Sequence, residues 1–134
     1  MKQTIAIIGC IDTKQSELEY MIQKIQQMNF DVFLIDASGT KHLLQNPRAE
    51  ITNTMLLKEA GMSWDDMKNV PKDKILGTLT KGLKSVVLKA YKAGKFQGII
   101  SAGGMQNTLM AKTAMEALPF GFPKINVAPA MTVV

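Results

Sequence analysis

Residues 4–14 read TIAIIGCIDTK, an apolar run that stops at Gly9 and passes into Asp12, Thr13 and Lys14. A continuous apolar run of this length, closed by a glycine, is typical of a strand that is buried on both faces of a parallel sheet. The following residues place apolar side chains at helical spacing as far as position 28. The chain therefore opens with a predicted strand, a polar loop and an amphipathic helix.

Three more strands are predicted further along the chain, at residues 31–37 (DVFLIDA), 98–102 (GIISA) and 124–128 (KINVA). The clearest helix covers residues 74–93, and residues 40–73 are predicted to form a helical insertion. Strands that alternate with helices indicate an α/β fold with a Rossmann-like open parallel sheet of about four strands and flanking helices.

Individual residues predict where the first helix begins and where the long helix contacts another element. Asp12, Thr13 or Ser16 could cap the first helix, and Ser16 with Glu19 matches a capping box. Gly82 lies inside the long helix, where glycine costs about 1 kcal/mol relative to alanine. We interpret Gly82 as a mark of close approach to another element.

Composition limits the class of protein. The 134 residues are 46% hydrophobic and 20% charged, which suits one globular domain spanning residues 1–134. Cys10 is the one cysteine, so no internal disulfide forms, and we expect a cytoplasmic protein. The sequence has neither a signal peptide nor an apolar stretch of about 20 residues, so no membrane partner is expected. A net charge of +5 fits an anionic ligand. The lysine stripe on residues 74–92 could be a nucleic-acid surface, but a solvated face is the better interpretation.

Two polar loops follow predicted strands, and ligands of open parallel sheets bind beyond the carboxyl ends of the strands. The first loop begins at Gly9. There Asp12 could bind a ribose hydroxyl or a magnesium ion, Thr13 could donate to phosphate and Lys14 could pair with it. The alternative is that Asp12 and Thr13 only cap the helix that follows.

The second loop covers residues 101–108 and is the better phosphate candidate. Gly103 and Gly104 can adopt positive φ and allow a ligand close to the backbone. Asn107 or Thr108 could cap the next helix, whose first turn would attract an anion, and Lys112 adds positive charge. The alternative is a plain strand-to-helix turn that needs glycine.

The chemistry that these loops could support is limited. Neither loop contains a P-loop or a G-x-G-x-x-G fingerprint. Cys10 would need a base such as His42 to act as a nucleophile, and a small buried cysteine is the better interpretation. One cysteine and one histidine do not make a zinc site, so no metal ligand is assigned. No catalytic residue and no reaction are predicted.

The ordered set of motifs resembles the little-characterised family of the tobamovirus-resistance protein of tomato. The resemblance starts at Gly9-x-x-Asp12-Thr13-Lys14, includes the strand at 98–100 and Gly103-Gly104, and extends to residue 124. It implies a Rossmann-like domain that binds ATP, and a second, C-terminal domain that this chain lacks. Magnesium is expected with ATP because Asp12 could bind it.

Two stretches depart from the family pattern. The family's Gly-Gly-Ser-Gly-Gly-Thr is replaced by residues 103–108, GGMQNT, and its Ser-Thr-Met-Ala-Ser-Gly by residues 128–133, APAMTV.

The prediction from the sequence as a whole is a domain that binds a nucleotide such as ATP, or another phosphate-bearing small molecule. The alternative is a non-enzymatic interaction or oligomerisation module that has lost this ligand. Because no helix is predicted after the fourth strand, we also expect an incomplete domain. Either a second copy or a partner chain covers its C-terminal edge, or the chain is the front part of a longer protein.

Overall fold

The computed structural model of the protein describes residues 2–41 and 49–128; His42 and the apolar residues 129–134 lie outside these ranges. The strands are β1 (Thr4–Gly9), β2 (Asp31–Asp36), β3 (Gly98–Ala102) and β4 (Lys124–Val127). Their order is β2-β1-β3-β4, and each neighbouring pair is parallel. The predicted α/β class with a Rossmann-like open sheet of four parallel strands is confirmed.

The helices account for most of the remaining residues. They are α1 (Ile11–Gln27), α2 (Asn53–Glu59), α3 (Lys72–Lys92) and α4 (Met105–Glu116), with a short 3₁₀ turn at Asp65–Met67. The predicted helical insertion thus contains α2 and the 3₁₀ turn. The long predicted helix is α3, whose lysines at 74, 81, 84, 89 and 92 are exposed.

Alternating side chains of the strands divide the core into two layers. On one face, Ile7 of β1 and Leu34 of β2 pack against the apolar stripe of α1. On the other face, Ile8 and Ile35 pack among side chains of α2, α3 and α4. Strands that are apolar on both faces need helices on both faces, which explains the continuous apolar runs in the sequence.

The start of α1 differs from the prediction. Cys10 is the N-cap, and no side chain of the first turn caps the helix. The backbone is non-helical at Lys14, so the first turn is kinked against the rest of α1. Ser16 lies inside the helix and donates to Glu17 (3.2 Å) rather than forming a capping box with Glu19. The predicted caps were wrong because Asp36, the last residue of β2, and Ser38, just after β2, accept hydrogen bonds from the first amide groups instead.

Gly82 is buried where α3 crosses α2. A Cβ atom at this position would overlap the backbone carbonyl oxygen of Leu56 in α2. The predicted close approach is therefore confirmed, and α2 and α3 pack backbone to backbone there. Gly94, which follows α3, has a φ of 71°, as expected of a glycine that ends a helix.

Candidate functional site

The two candidate loops lie beside each other at the carboxyl edge of the sheet. The chain leaves β1 for β2 on one side, whereas β3 pairs with the other side of β1 and leads outward to β4. The point between β1 and β3 is therefore the topological switch point, where open α/β sheets bind ligands. Gly9 is the last residue of β1, and Asp12, Thr13 and Lys14 lie at the start of α1. On the other side, Gly103 and Gly104 follow β3, and Asn107 and Thr108 lie at the start of α4.

The amide groups at the start of α1 are already occupied by the protein. The amide of Ile11 donates to Oδ1 of Asp36 (3.4 Å), and the amide of Asp12 donates to Oγ of Ser38 (3.2 Å). The amides of Thr13 and Lys14 both donate to the carbonyl oxygen of Cys10. These four donors are consequently not available to a phosphate group.

The side chains of the first loop are more accessible than its amides. Asp12 is exposed, and its Oδ2 accepts a hydrogen bond from Oγ1 of Thr40 (2.8 Å). Thr13 is exposed and Lys14 is half-buried at the kink. The first loop can therefore present a carboxylate and a hydroxyl at the sheet edge.

The side chain of Asn107 contacts residues on both sides of the switch point. Its side chain is buried, its Nδ2 donates to Oγ of Ser101 (2.7 Å), and its Oδ1 lies 3.6 Å from Sγ of Cys10. The thiol also lies 3.5 Å from the carbonyl oxygen of Ala37. Asn107 thus fixes the spacing between β1 and the start of α4.

The three glycines of the site have different surroundings. A Cβ atom on Gly9 would collide with Leu18 of α1, and one on Gly103 would press on the side chain of Asn107 at 2.8 Å. Neither Gly103 nor Gly104 has a positive φ, so the turn does not use this freedom of glycine. Gly9 and Gly103 are therefore explained by packing within the protein.

Gly104 is not explained in this way. It is exposed, a Cβ atom there would meet nothing within 4 Å, and its φ of −71° suits any residue. It is the N-cap of α4, so the predicted caps Asn107 and Thr108 lie one turn inside the helix. Oγ1 of Thr108 instead donates back to the carbonyl oxygen of Gly104 (2.9 Å).

The first turn of α4 leaves donors open. Among the residues that the structure describes, the amides of Met105, Gln106 and Asn107 have no hydrogen-bond partner. Free amides at a helix N-terminus attract anions, and no acidic side chain lies in this turn to compensate them. Lys112 adds less positive charge than predicted, because its Nζ pairs with Glu116 (2.7 Å).

The surroundings of Cys10 make its thiol unreactive. Burial, followed by the negative charges of Asp12 and Asp36, raises the pKa of the Cys10 thiol from 9.0 to about 12. A thiol with so high a pKa is protonated at neutral pH and is a poor nucleophile. This agrees with the interpretation of Cys10 as a structural residue rather than a nucleophile, although its side chain is half-buried and not fully buried.

A buried polar cluster beneath the first loop was missed by the sequence reasoning. Asp36 accepts from both the amide and the hydroxyl of Ser38, at 3.0 and 2.5 Å. Nδ2 of Asn53 in α2 donates to the carbonyl oxygens of Ser38 and Thr40. The signal for this cluster was an acidic residue, Asp36, at the carboxyl end of a strand whose interior is apolar.

Two negative findings limit the chemistry of the described ranges. Residues 2–41 and 49–128 contain no group of three or more His, Cys, Asp or Glu side chains that could hold a metal ion. No helix in those same ranges is long and apolar enough to cross a membrane.

Comparison with known proteins gives a family and a relative. The model of the uncharacterised protein family UPF0261, N-terminal domain, matches residues 3–132. A protein of Clostridium tetani (strain Massachusetts / E88) named "UPF0261 protein" is 28% identical over 129 residues. That match covers 96% of this chain but only 31% of the relative, so the chain spans about a third of the relative's length.

The match confirms the expectation that the chain belongs to a little-characterised family. The resemblance to the tobamovirus-resistance protein of tomato, and the ATP binding that it implies, stay predictions. Because the family model matches nearly every residue, from 3 to 132, the chain belongs to UPF0261 and is similar to the N-terminal domain of that family.

Proposed function

We propose that this domain binds a phosphate-bearing small molecule, such as ATP or a related nucleotide, at the switch point between β1 and β3. The observation that carries the proposal is Gly104, an exposed glycine that neither its backbone conformation nor its packing requires. A glycine at this position lets a ligand approach the backbone at the start of α4.

The donors around Gly104 support a phosphate rather than a neutral ligand. The amides of Met105, Gln106 and Asn107 would hold the phosphate oxygens, with the helix dipole adding to the attraction. In this proposal Gly9, Gly103 and Asn107 shape the site, and the hydroxyls of Thr13 and Thr108 line it. Lys14 would offset the charge of the phosphate from the side of the first loop.

In this proposal, the carboxylate of Asp12 binds a divalent cation together with the phosphate. An acidic side chain close to a phosphate repels it unless a cation lies between them. Magnesium is usually held by one or two carboxylates together with phosphate oxygens, which suits a single exposed carboxylate such as Asp12. We therefore expect a nucleotide to bind more tightly with magnesium than without it, and this dependence to weaken in Asp12→Asn.

Calorimetric titration of the purified protein with ATP and magnesium tests the proposal, with AMP and inorganic phosphate as comparison ligands. We expect saturable ATP binding in the micromolar to low millimolar range, which corresponds to a binding free energy of about −8 to −4 kcal/mol. Gly104→Val should abolish this binding while the circular dichroism spectrum is unchanged, because a side chain there projects into open space.

Gly77→Ala is the matched control. It also adds a side chain to an exposed glycine with nothing within 4 Å, but it lies in α3, outside the two loops. It should leave the affinity for ATP unchanged. Equal affinities of the wild-type protein and Gly104→Val would overturn the assignment of the site, and a folded protein that binds none of the three ligands would favour the interaction-module alternative.

A further inference from the structure

The side of the sheet that carries α1 is only partly covered. In the described residues, α1 packs against β1 and β2 on this side. The pleat places Ile100 and Ala102 of β3 on the same side, next to Ile125 and Val127 of β4. We call these four residues the open face. Ile125 is 59% exposed and Val127 is 47% exposed.

The open face is apolar and has the width of one helix. It continues into a groove of about 200 Å³ beside α1, which is lined by Ile5, Ile25, Phe30 and other apolar side chains. Adjacent strands lie about 4.8 Å apart and a helix is about 10 Å wide, so two strands accommodate one helix. The charged end of Lys124 lies on the opposite side of β4, where its Nζ is 3.4 Å from the carbonyl oxygen of Leu118.

The shape and chemistry of this surface therefore fit one amphipathic helix lying beside α1. Parallel sheets are found with both faces covered, because their strands are apolar on both sides. The opposite face of β3 and β4 follows that rule, since α4 packs against both strands: the backbone carbonyl oxygen of Thr108 in α4 accepts a hydrogen bond from Nδ2 of Asn126 (3.0 Å).

The clostridial relative indicates where such a helix could come from. The matched residues make up 31% of that protein, so more than two thirds of its polypeptide lies outside the match. The helix α1 of a second copy is a poorer fit, because its outward side carries polar residues such as Gln15, Glu19 and Gln23.

We infer that the open face binds one amphipathic helix from the polypeptide that corresponds to the unmatched part of the relative. The contact would be of the same kind whether that polypeptide is joined to this domain or separate from it. The inference does not depend on the proposed ligand site, which lies at the carboxyl edge of the sheet.

A photo-crosslinking amino acid in place of Ile125 tests the inference in cells of the organism that makes the protein. After irradiation, mass spectrometry identifies the peptide joined to position 125. We expect a peptide that aligns with the unmatched part of the relative and has helical apolar spacing. Phe120, which is fully exposed on the turn after α4, is the control position and should not yield that peptide.

The other outcomes overturn the inference. A crosslink to residues of a second copy would make the open face a homo-oligomer interface. A folded protein with no crosslink at position 125, or the same crosslinks at 120 and 125, would show that no helix is held there. As a second measurement, Ile125→Lys should lower recovery of the identified complex by about tenfold or more, the scale of a central interface residue, whereas Phe120→Lys should not.

Discussion

Gly104 and Cys10 lie at the same sheet edge, but Gly104 is exposed to solvent whereas Cys10 is enclosed by neighbouring residues. Gly104 is exposed, and the amides after it have no partner among the described residues. Cys10 is half-buried, with Sγ 3.6 Å from Asn107 and 3.5 Å from the carbonyl oxygen of Ala37. The edge is therefore open at α4 and closed at the start of α1, although the sequence offers a polar loop at both.

Cys10 should react slowly with thiol reagents. Raising its pKa from 9.0 to about 12 lowers the thiolate fraction at neutral pH by about a thousandfold, since each pKa unit is a factor of ten. We expect alkylation by iodoacetamide to be at least about a hundredfold slower in the native protein than in urea. The rate is measured by mass spectrometry, with Cys10→Ser as the blank. Equal rates in both states would contradict the closed environment.

At the scale of elements, α3 contains two glycines that look alike in the sequence. Gly77 is exposed and has nothing near the position of a Cβ atom, whereas Gly82 lies against the backbone of Leu56. The helix propensity of alanine favours both substitutions equally, so any difference between them measures the packing of α3 on α2.

Gly77→Ala should stabilise the protein by about 0.5–1 kcal/mol, because alanine is the better helix former and restricts the unfolded chain. Gly82→Ala should destabilise it by about 1–3 kcal/mol or more, because the new methyl group must push α2 away. Urea unfolding followed by circular dichroism gives both values. A neutral or stabilising Gly82→Ala would mean that the two helices do not touch at this point.

The elements themselves could be predicted from the sequence, but not what lies at their ends. Apolar runs and helical spacing placed β1, β3 and α3 within a few residues, because these patterns follow from burial alone. The caps of α1 could not be found, since its first amides bind Asp36 and Ser38, which are distant in the sequence. For the same reason, the link between Asn107 and Cys10 depends on the strand order, which no local pattern fixes.

At the scale of the whole molecule, a polar contact connects α2 to α3 outside the core. Glu59 of α2 accepts hydrogen bonds from Nζ of Lys89 and from Oγ of Ser85, the latter at 2.7 Å. These bonds, with that of Lys89 the larger, lower the pKa of the Glu59 carboxyl below its ordinary value of 4.5. The contact depends on the carboxylate and therefore on pH.

The contribution of Glu59 to stability should disappear in acid. A carboxyl whose pKa is lower in the folded state stabilises the protein above the unfolded pKa of 4.5, and this gain is lost as the pH falls through the folded pKa. Glu59→Gln should thus be less stable than wild type at neutral pH, and the difference should shrink below pH 4.5.

Urea midpoints measured from neutral pH into acid check this expectation. Glu19→Gln removes the same charge from an exposed position on α1 and serves as the control. A difference between wild type and Glu59→Gln that stays constant as the pH falls would show that the carboxylate is not the stabilising form.

The position of β1 at the centre of the sheet also governs the order in which the nascent chain can assemble. β1 meets β2 within one strand–helix–strand unit, but its other neighbour, β3, begins at Gly98. The amide of Thr4 and the side chain of Gln97, which are bonded in the finished protein, are 93 positions apart. During translation the first strand therefore keeps one hydrogen-bonding edge unpaired until most of the domain has left the ribosome, and an unpaired edge is the part of a sheet most exposed to aggregation.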